Sequence, residues 1–178
     1  WEQTLSRAIG AAYSDHYADP VAWPDRGAVI TDALQAAPSF QDREGFFRYF
    51  RTEKEDSHYE PDYVLSAYTV KGLDYLNSLS VATPVELRNT LEEKLAEIFA
   101  KATMLDANGQ PALPYETTAT IAGALSKTKN IDQGTLDTLW QQWDLLSWYA
   151  RSELLMAMSR KPEYASQLQE GIRRLQQA

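Results

Sequence analysis

Cysteine is absent from all 178 residues, which excludes disulfides, thiol nucleophiles and thiolate metal sites within the chain. There is no initiator Met, no signal peptide and no apolar run of the roughly 18 residues that a membrane-spanning helix needs. The expectation is one domain, residues 1–178, that makes no direct membrane contact and is cut from a larger protein. Basic residues are outnumbered, with 17 Lys and Arg against 25 Asp and Glu. At a net charge of -8 and a pI near 4.8, no basic patch is available to neutralise phosphates, so nucleic acid is not an expected partner. Histidine is scarce as well, with only two, and no His/Asp cluster, Gly-rich phosphate loop or serine elbow occurs. No metal or cofactor is expected. The lack of disulfides leaves the compartment open, since a periplasmic domain can do without them.

What is present is helical period. Residues 2–13 place Leu5, Ala8, Ile9 and Ala12 on one face and run into the polar stretch Ser14-Asp15-His16, as an amphipathic first helix should. Pro24, Pro61, Pro84, Pro114 and Pro162 each precede an apolar periodic stretch, and proline is tolerated at a helix start because its missing N–H is unpaired there anyway. Thr83-Pro84-Val85-Glu86 has the form of a capping box. Its helix sets Leu87, Leu91, Leu95, Ile98 and Phe99 against Glu92, Glu93, Lys94, Glu97 and Lys101, which predicts a half-exposed element. Residues 63–76 and 117–125 are apolar or small nearly all round, which predicts helices covered on both sides. Asn108-Gly109 marks a turn, and Gly45 a second tight bend. Period continues through Leu136, Leu139, Trp140 and Trp143, through residues 147–158, and from Pro162 to about residue 177.

Roughly eight helices in consecutive pairs, half-buried ones alternating with buried ones, predict an all-α fold, with an α/α toroid of helical hairpins, partial in this chain, as the architecture. A tetratricopeptide superhelix is the rival, but no period of about 34 residues is found. Tyr63, Tyr68, Tyr75, Trp140, Trp143, Trp148 and Tyr149 are expected to be core aromatics, given the area such rings bury.

Trp1-Glu2-Gln3, continuing as Thr4-Leu5-Ser6-Arg7, resembles the stretch after the reactive cysteine in thioester domains of the bacterial alpha-2-macroglobulin family, whose motif reads Cys-x-Glu-Gln. As an isolated tripeptide, Glu2-Gln3 is equally an ordinary polar first turn, with Glu2 favoured by the helix dipole. Two later stretches have similar counterparts in the family. Gly45-Phe46-Phe47-Arg48-Tyr49-Phe50 followed by Pro61-Asp62-Tyr63-Val64-Leu65-Ser66-Ala67-Tyr68 looks like its Gly-aromatic strip and inner helix, and Leu146-Ser147-Trp148-Tyr149-Ala150-Arg151-Ser152-Glu153-Leu154-Leu155 like a later helix.

The resemblance implies a site. Trp1 is the x residue, Gln3 the acyl half of a thioester, and the cysteine would stand just before Trp1. Residues three apart on a helical turn share a face, so thiol and carboxamide can meet. The bond survives only where water is excluded, and Trp1 is a candidate wall of that pocket. Some members of the wider family pass the acyl group to a histidine and thence to hydroxyls. His58 lies broadly where that residue would be, although its flanks match poorly and a loop histidine is commonly a surface residue; His16 is the weaker candidate.

The implied function is that of a protease trap. After a protease cuts a bait region elsewhere in the polypeptide, the thioester acylates an amine of the attacker, in single-use chemistry without turnover. The implied setting is the periplasm, with a lipid anchor on the inner membrane outside this segment, and the partners are target proteases and neighbouring domains. A thioester-less packing domain is the first alternative. The second is a carbohydrate-active toroid enzyme using carboxylates such as Glu53, Glu55, Asp56, Glu92 or Glu93, although such a charge run is usually a solvated face.

Overall fold

The computed structural model describes residues 1–17, 25–51, 61–105 and 107–177. They form eight α-helices, α1 (Glu2–His16), α2 (Arg26–Ala36), α3 (Tyr63–Ser78), α4 (Val85–Phe99), α5 (Tyr115–Leu125), α6 (Gln133–Gln141), α7 (Trp148–Met158) and α8 (Ala165–Gln177), with short 3-10 turns at Ala37–Phe40, Trp143–Leu145 and Pro162–Tyr164. Extended pairing among the described residues is confined to two isolated bridges, Gln41 with Phe47 and Leu105 with Pro111. The fold is all-α.

Most helix starts fall where a proline or a short acceptor side chain precedes apolar period. Asp62 follows Pro61 and accepts the Leu65 amide at 2.8 Å. Pro84 directly precedes α4, Pro114 is the residue before α5, and Pro162 opens the turn that leads into α8. Pro24 lies outside the described residues. The first helix runs three residues past the expected stop. Its polar end is compatible with helix because Arg26 donates to the Ser14 carbonyl (3.3 Å) and pairs with Asp15 (3.3 Å), occupying groups at the C-terminus that would otherwise need water.

The chain divides into two compact units, residues 1–91 and 92–178. In the first, α1 packs against α2 and α3 through Leu5, Ala8, Ala11 and Ala12, all buried. Burying a leucine such as Leu5 contributes about 2 kcal/mol. Close approach to α3 depends on Gly72, where a Cβ would stand 2.6 Å from Leu5 Cδ2 and 3.3 Å from Ile9 Cδ1.

In the second unit α5 is the central element. Every residue from 118 to 125 is buried, as an apolar pattern on all sides requires, and its main partner is α7. Gly123 admits the buried Glu153 of α7 so closely that a Cβ would lie 2.2 Å from the carboxylate Oε2 and 2.9 Å from the Glu153 carbonyl oxygen. Both α6 and α8 pack against α7, and Gly171 of α8 makes room for Leu155 and Trp143.

Three aromatic assignments are overturned. Tyr75, Trp148 and Tyr149 are 42%, 52% and 42% exposed, whereas Trp143 is buried as expected. The reason is helical phase. Inward positions on α7 are Ala150, Leu154, Ala157 and Met158, so Trp148, Tyr149 and Met156 fall on the opposite side. On α4, Glu92 is buried at 4% exposure, contrary to its expected place on the polar side, while Glu93 is exposed.

Candidate functional site

Three residues of the motif divide at once between core and solvent. Trp1 is buried, and Glu2 and Gln3 are exposed. The Trp1 carbonyl accepts the Leu5 amide (3.0 Å) and so begins the helical ladder, while Glu2 places a negative charge in the first turn, where the dipole favours it.

Trp1 is held by an aromatic loop. Gly45 takes a left-handed φ of 86°, which glycine adopts without Cβ strain. The Asp42 carboxylate accepts the amides of Glu44 and Phe46, each at 2.9 Å, and the Arg48 amide returns to the Phe40 carbonyl at 2.9 Å. The reversal brings Phe40 and Phe47 to Trp1 with ring centroids 5.5 and 5.0 Å away, distances at which tilted ring pairs attract. The Trp1 backbone nitrogen also donates to the Tyr49 carbonyl.

The remaining holds come from α3. Thr69 Oγ1 accepts from Trp1 Nε1 at 2.7 Å and donates to the Leu65 carbonyl at 2.8 Å. One turn earlier, Ser66 Oγ accepts the Phe47 amide at 2.9 Å. Both hydroxyls are fully buried. Near the surface, the Ser6 and Tyr68 hydroxyls bond at 2.7 Å. The Tyr49 hydroxyl is pushed up from its ordinary pKa by desolvation, then by the negative charges of Asp62 and Glu2, so it remains protonated beside the first turn of α1.

Trp1, Glu2 and Gln3 are legible as a motif in the sequence, whereas Ser66 and Thr69, whose hydroxyls hold Phe47 and Trp1, are not singled out there. A signal was present, because a hydroxyl in a helix that is apolar all round must find a partner. His58 lies outside the described residues, as do Glu53, Glu55 and Asp56. His16 is exposed at the far end of α1, stacked edge-on against Tyr17 at 4.8 Å. Glu92 and Glu93 stand side by side on one helix, one buried and one exposed, which is not a pair facing across a cleft. Among the described residues no cluster of three acidic or metal-ligating side chains exists, and no helix is long and apolar enough to cross a membrane. A cavity of about 320 Å³ lies between α1 and α2, with Thr4, Arg7, Asp32 and Arg51 in its lining.

An all-α fold that opens a helix on a buried tryptophan and an exposed Glu-Gln pair defines the class of architecture. The particular counterparts are stretches of alpha-2-macroglobulin from Escherichia coli. The crystal structure of its native form from domain MG7 to the C-terminus superposes with a TM-score of 0.72 at 18% identity, over 98% of this chain and 28% of that one. The cryo-EM native conformation of the same protein gives 0.72 at 18% over 99% and 11%, and the trypsin-activated crystal form 0.63 at 18% over 84% and 10%. The fold is shared along nearly the whole chain, which spans under a third of those proteins. No protein-family model and no curated protein sequence matches the chain.

Proposed function

We propose that this chain is part of the thioester domain of an alpha-2-macroglobulin-type protease inhibitor, with Gln3 as acyl donor and a cysteine immediately before Trp1 as its partner. The single observation that carries the proposal is the coincidence of Trp-Glu-Gln with the start of α1 in a fold shared with native alpha-2-macroglobulin. In the bond-forming step the thiol sulfur attacks Cδ of Gln3 and ammonia leaves. In the capture step a protease amine forms the new C–N bond, the C–S bond breaks, and the leaving sulfur takes up the amine proton. Lysine amines are the natural target, and the reaction occurs once, so the domain is an inhibitor and not an enzyme.

Placement of Gln3 suits this role. A residue whose side chain lies at the surface of its own domain can be covered by a neighbouring domain until a protease cut removes the cover, whereas a deeply buried carbonyl could not be delivered to another protein. The buried Trp1 holds the backbone between the two reacting side chains, so it forms the floor of the site. The periplasm, with a lipid anchor elsewhere on the polypeptide, is the proposed location. His58 is the candidate acyl carrier for hydroxyl targets.

The test is the intact mass of the full-length protein before and after methylamine. The expected starting mass is that of the sequence less one ammonia, rising by one methylamine with one thiol newly titratable. A starting mass equal to the unmodified sequence, unchanged by methylamine and with no new thiol, would overturn the chemistry and leave a packing domain of the same kind of protein.

A further inference from the structure

We propose that Thr69 is a positioning residue for the thioester, acting through Trp1; this rests on the acyl-donor reading of Gln3 given above. The Thr69 hydroxyl both donates and accepts. It spends its proton on the Leu65 carbonyl of its own helix, which directs a lone pair at Trp1 Nε1. Phe40 and Phe47 pack against the indole as tilted rings, at interplanar angles of 43° and 31°, and such ring contacts set orientation less sharply than a hydrogen bond, which weakens steeply off line. The Nε1 bond is the directional hold on the indole among the described residues.

Trp1 lies inside the loop that a thioester between the preceding residue and Gln3 would close, so its φ and ψ set the distance from sulfur to Cδ. The first turn of a helix is also where fraying begins, because its amides lack intrahelical partners. A further side-chain hydrogen bond from α1 to α3, between Ser6 and Tyr68, is exposed and lies one turn further on. Loosening Trp1 therefore frees the turn that carries the acyl group. In the frayed state a water oxygen bonds to Cδ of Gln3, the C–S bond breaks, the water's proton passes to sulfur, and a carboxyl and a thiol remain.

The test measures spontaneous thiol release from the full-length protein, without amine, well below its melting temperature. Thr69→Val keeps the branched shape and removes the acceptor, Thr69→Ser keeps the hydroxyl, and Trp1→Phe removes the donor while retaining a ring. Valine and phenylalanine variants are each expected to release thiol about ten-fold faster, the factor that one lost buried hydrogen bond corresponds to, with serine within about two-fold of wild type. The Val and Phe effects should be non-additive in the double variant, since both remove one bond. Tyr164→Phe, which removes a buried hydroxyl's bonds to Asp137 and Gln133 in the second unit, controls for general destabilisation.

Wild-type release in Thr69→Val and Trp1→Phe, or equal acceleration by Tyr164→Phe at matched loss of melting temperature, overturns the positioning role while the thioester stands. A wild-type protein that yields no thiol even with methylamine overturns both readings together.

Discussion

Adding a single methyl group separates two kinds of close contact. At Gly123 an added Cβ meets the Glu153 backbone oxygen at 2.9 Å as well as the carboxylate at 2.2 Å, and a carbonyl on a buried helix has nowhere to go. At Gly72 the nearest atom is the tip of the Leu5 side chain at 2.6 Å, which can turn. Gly123→Ala is therefore expected to cost about 3 kcal/mol and Gly72→Ala about 1 kcal/mol, the upper and lower ends of the overpacking range, with midpoints of urea unfolding as the readout. Equal losses would mean that α7 shifts away from α5 as readily as a leucine changes rotamer.

A second residue-scale expectation concerns acid. Hydrogen bonds from Arg173 (2.7 and 2.9 Å) and Arg174 (2.9 Å) hold the Glu170 carboxyl at about 2, below its ordinary 4.5. Because the folded value is depressed, the support this carboxylate gives α8 is present above 4.5 and lost as pH falls toward 2. A carboxyl carbon resonance titration of Glu170 should show the low midpoint, and alanine at both arginines should return it toward 4.5. A midpoint already near 4.5 in the native protein would show that these exposed pairs are not held in solution.

At the scale of elements, proline made helix starts legible, and side-chain caps reinforce three of them. Asp62, Asp132 and Ser147 each accept the amide three residues on, at 2.8, 2.8 and 3.2 Å, and such residues read directly from sequence. Asp132→Ala should destabilise the second unit by about 1 kcal/mol, seen as a lower thermal midpoint, whereas Asp132→Asn should retain most of it; equal loss in both would assign Asp132 a role beyond the cap. The Ser147 cap is braced further, since Glu116 of α5 accepts from both its amide (2.9 Å) and its hydroxyl. That brace was not legible, because it joins residues 31 apart and no local pattern encodes such pairs. The same limit explains the aromatic errors. Composition says that a tryptophan has area to bury, but only the phase of α7 against α5 decides that Trp143 goes in and Trp148 stays out. For the site, the motif and the Gly45 loop could be read along the chain, whereas the α3 hydroxyls that hold them required the packed structure.

At the scale of the whole molecule, the proposed thioester raises the question of which nucleophile its acyl group would meet. A histidine that takes over the acyl group has to reach Gln3, and His16 cannot. Thirteen residues further along the same helix, it stands about 20 Å away at 1.5 Å of rise per residue. Unless His58 serves as a relay, the proposed thioester would react directly with the stronger neutral nucleophile, so amines should be favoured over hydroxyls. In the full-length protein treated with trypsin, the cross-link is expected between a lysine of the protease and the peptide spanning residues 1–7, detected by mass spectrometry after digestion. Labelled methylamine should be incorporated in preference to labelled glycerol, and His58→Ala should change neither rate. Glycerol incorporation that falls on His58→Ala while methylamine incorporation persists would instead make His58 the acyl carrier, since an imidazole relay is needed for hydroxyls and dispensable for amines.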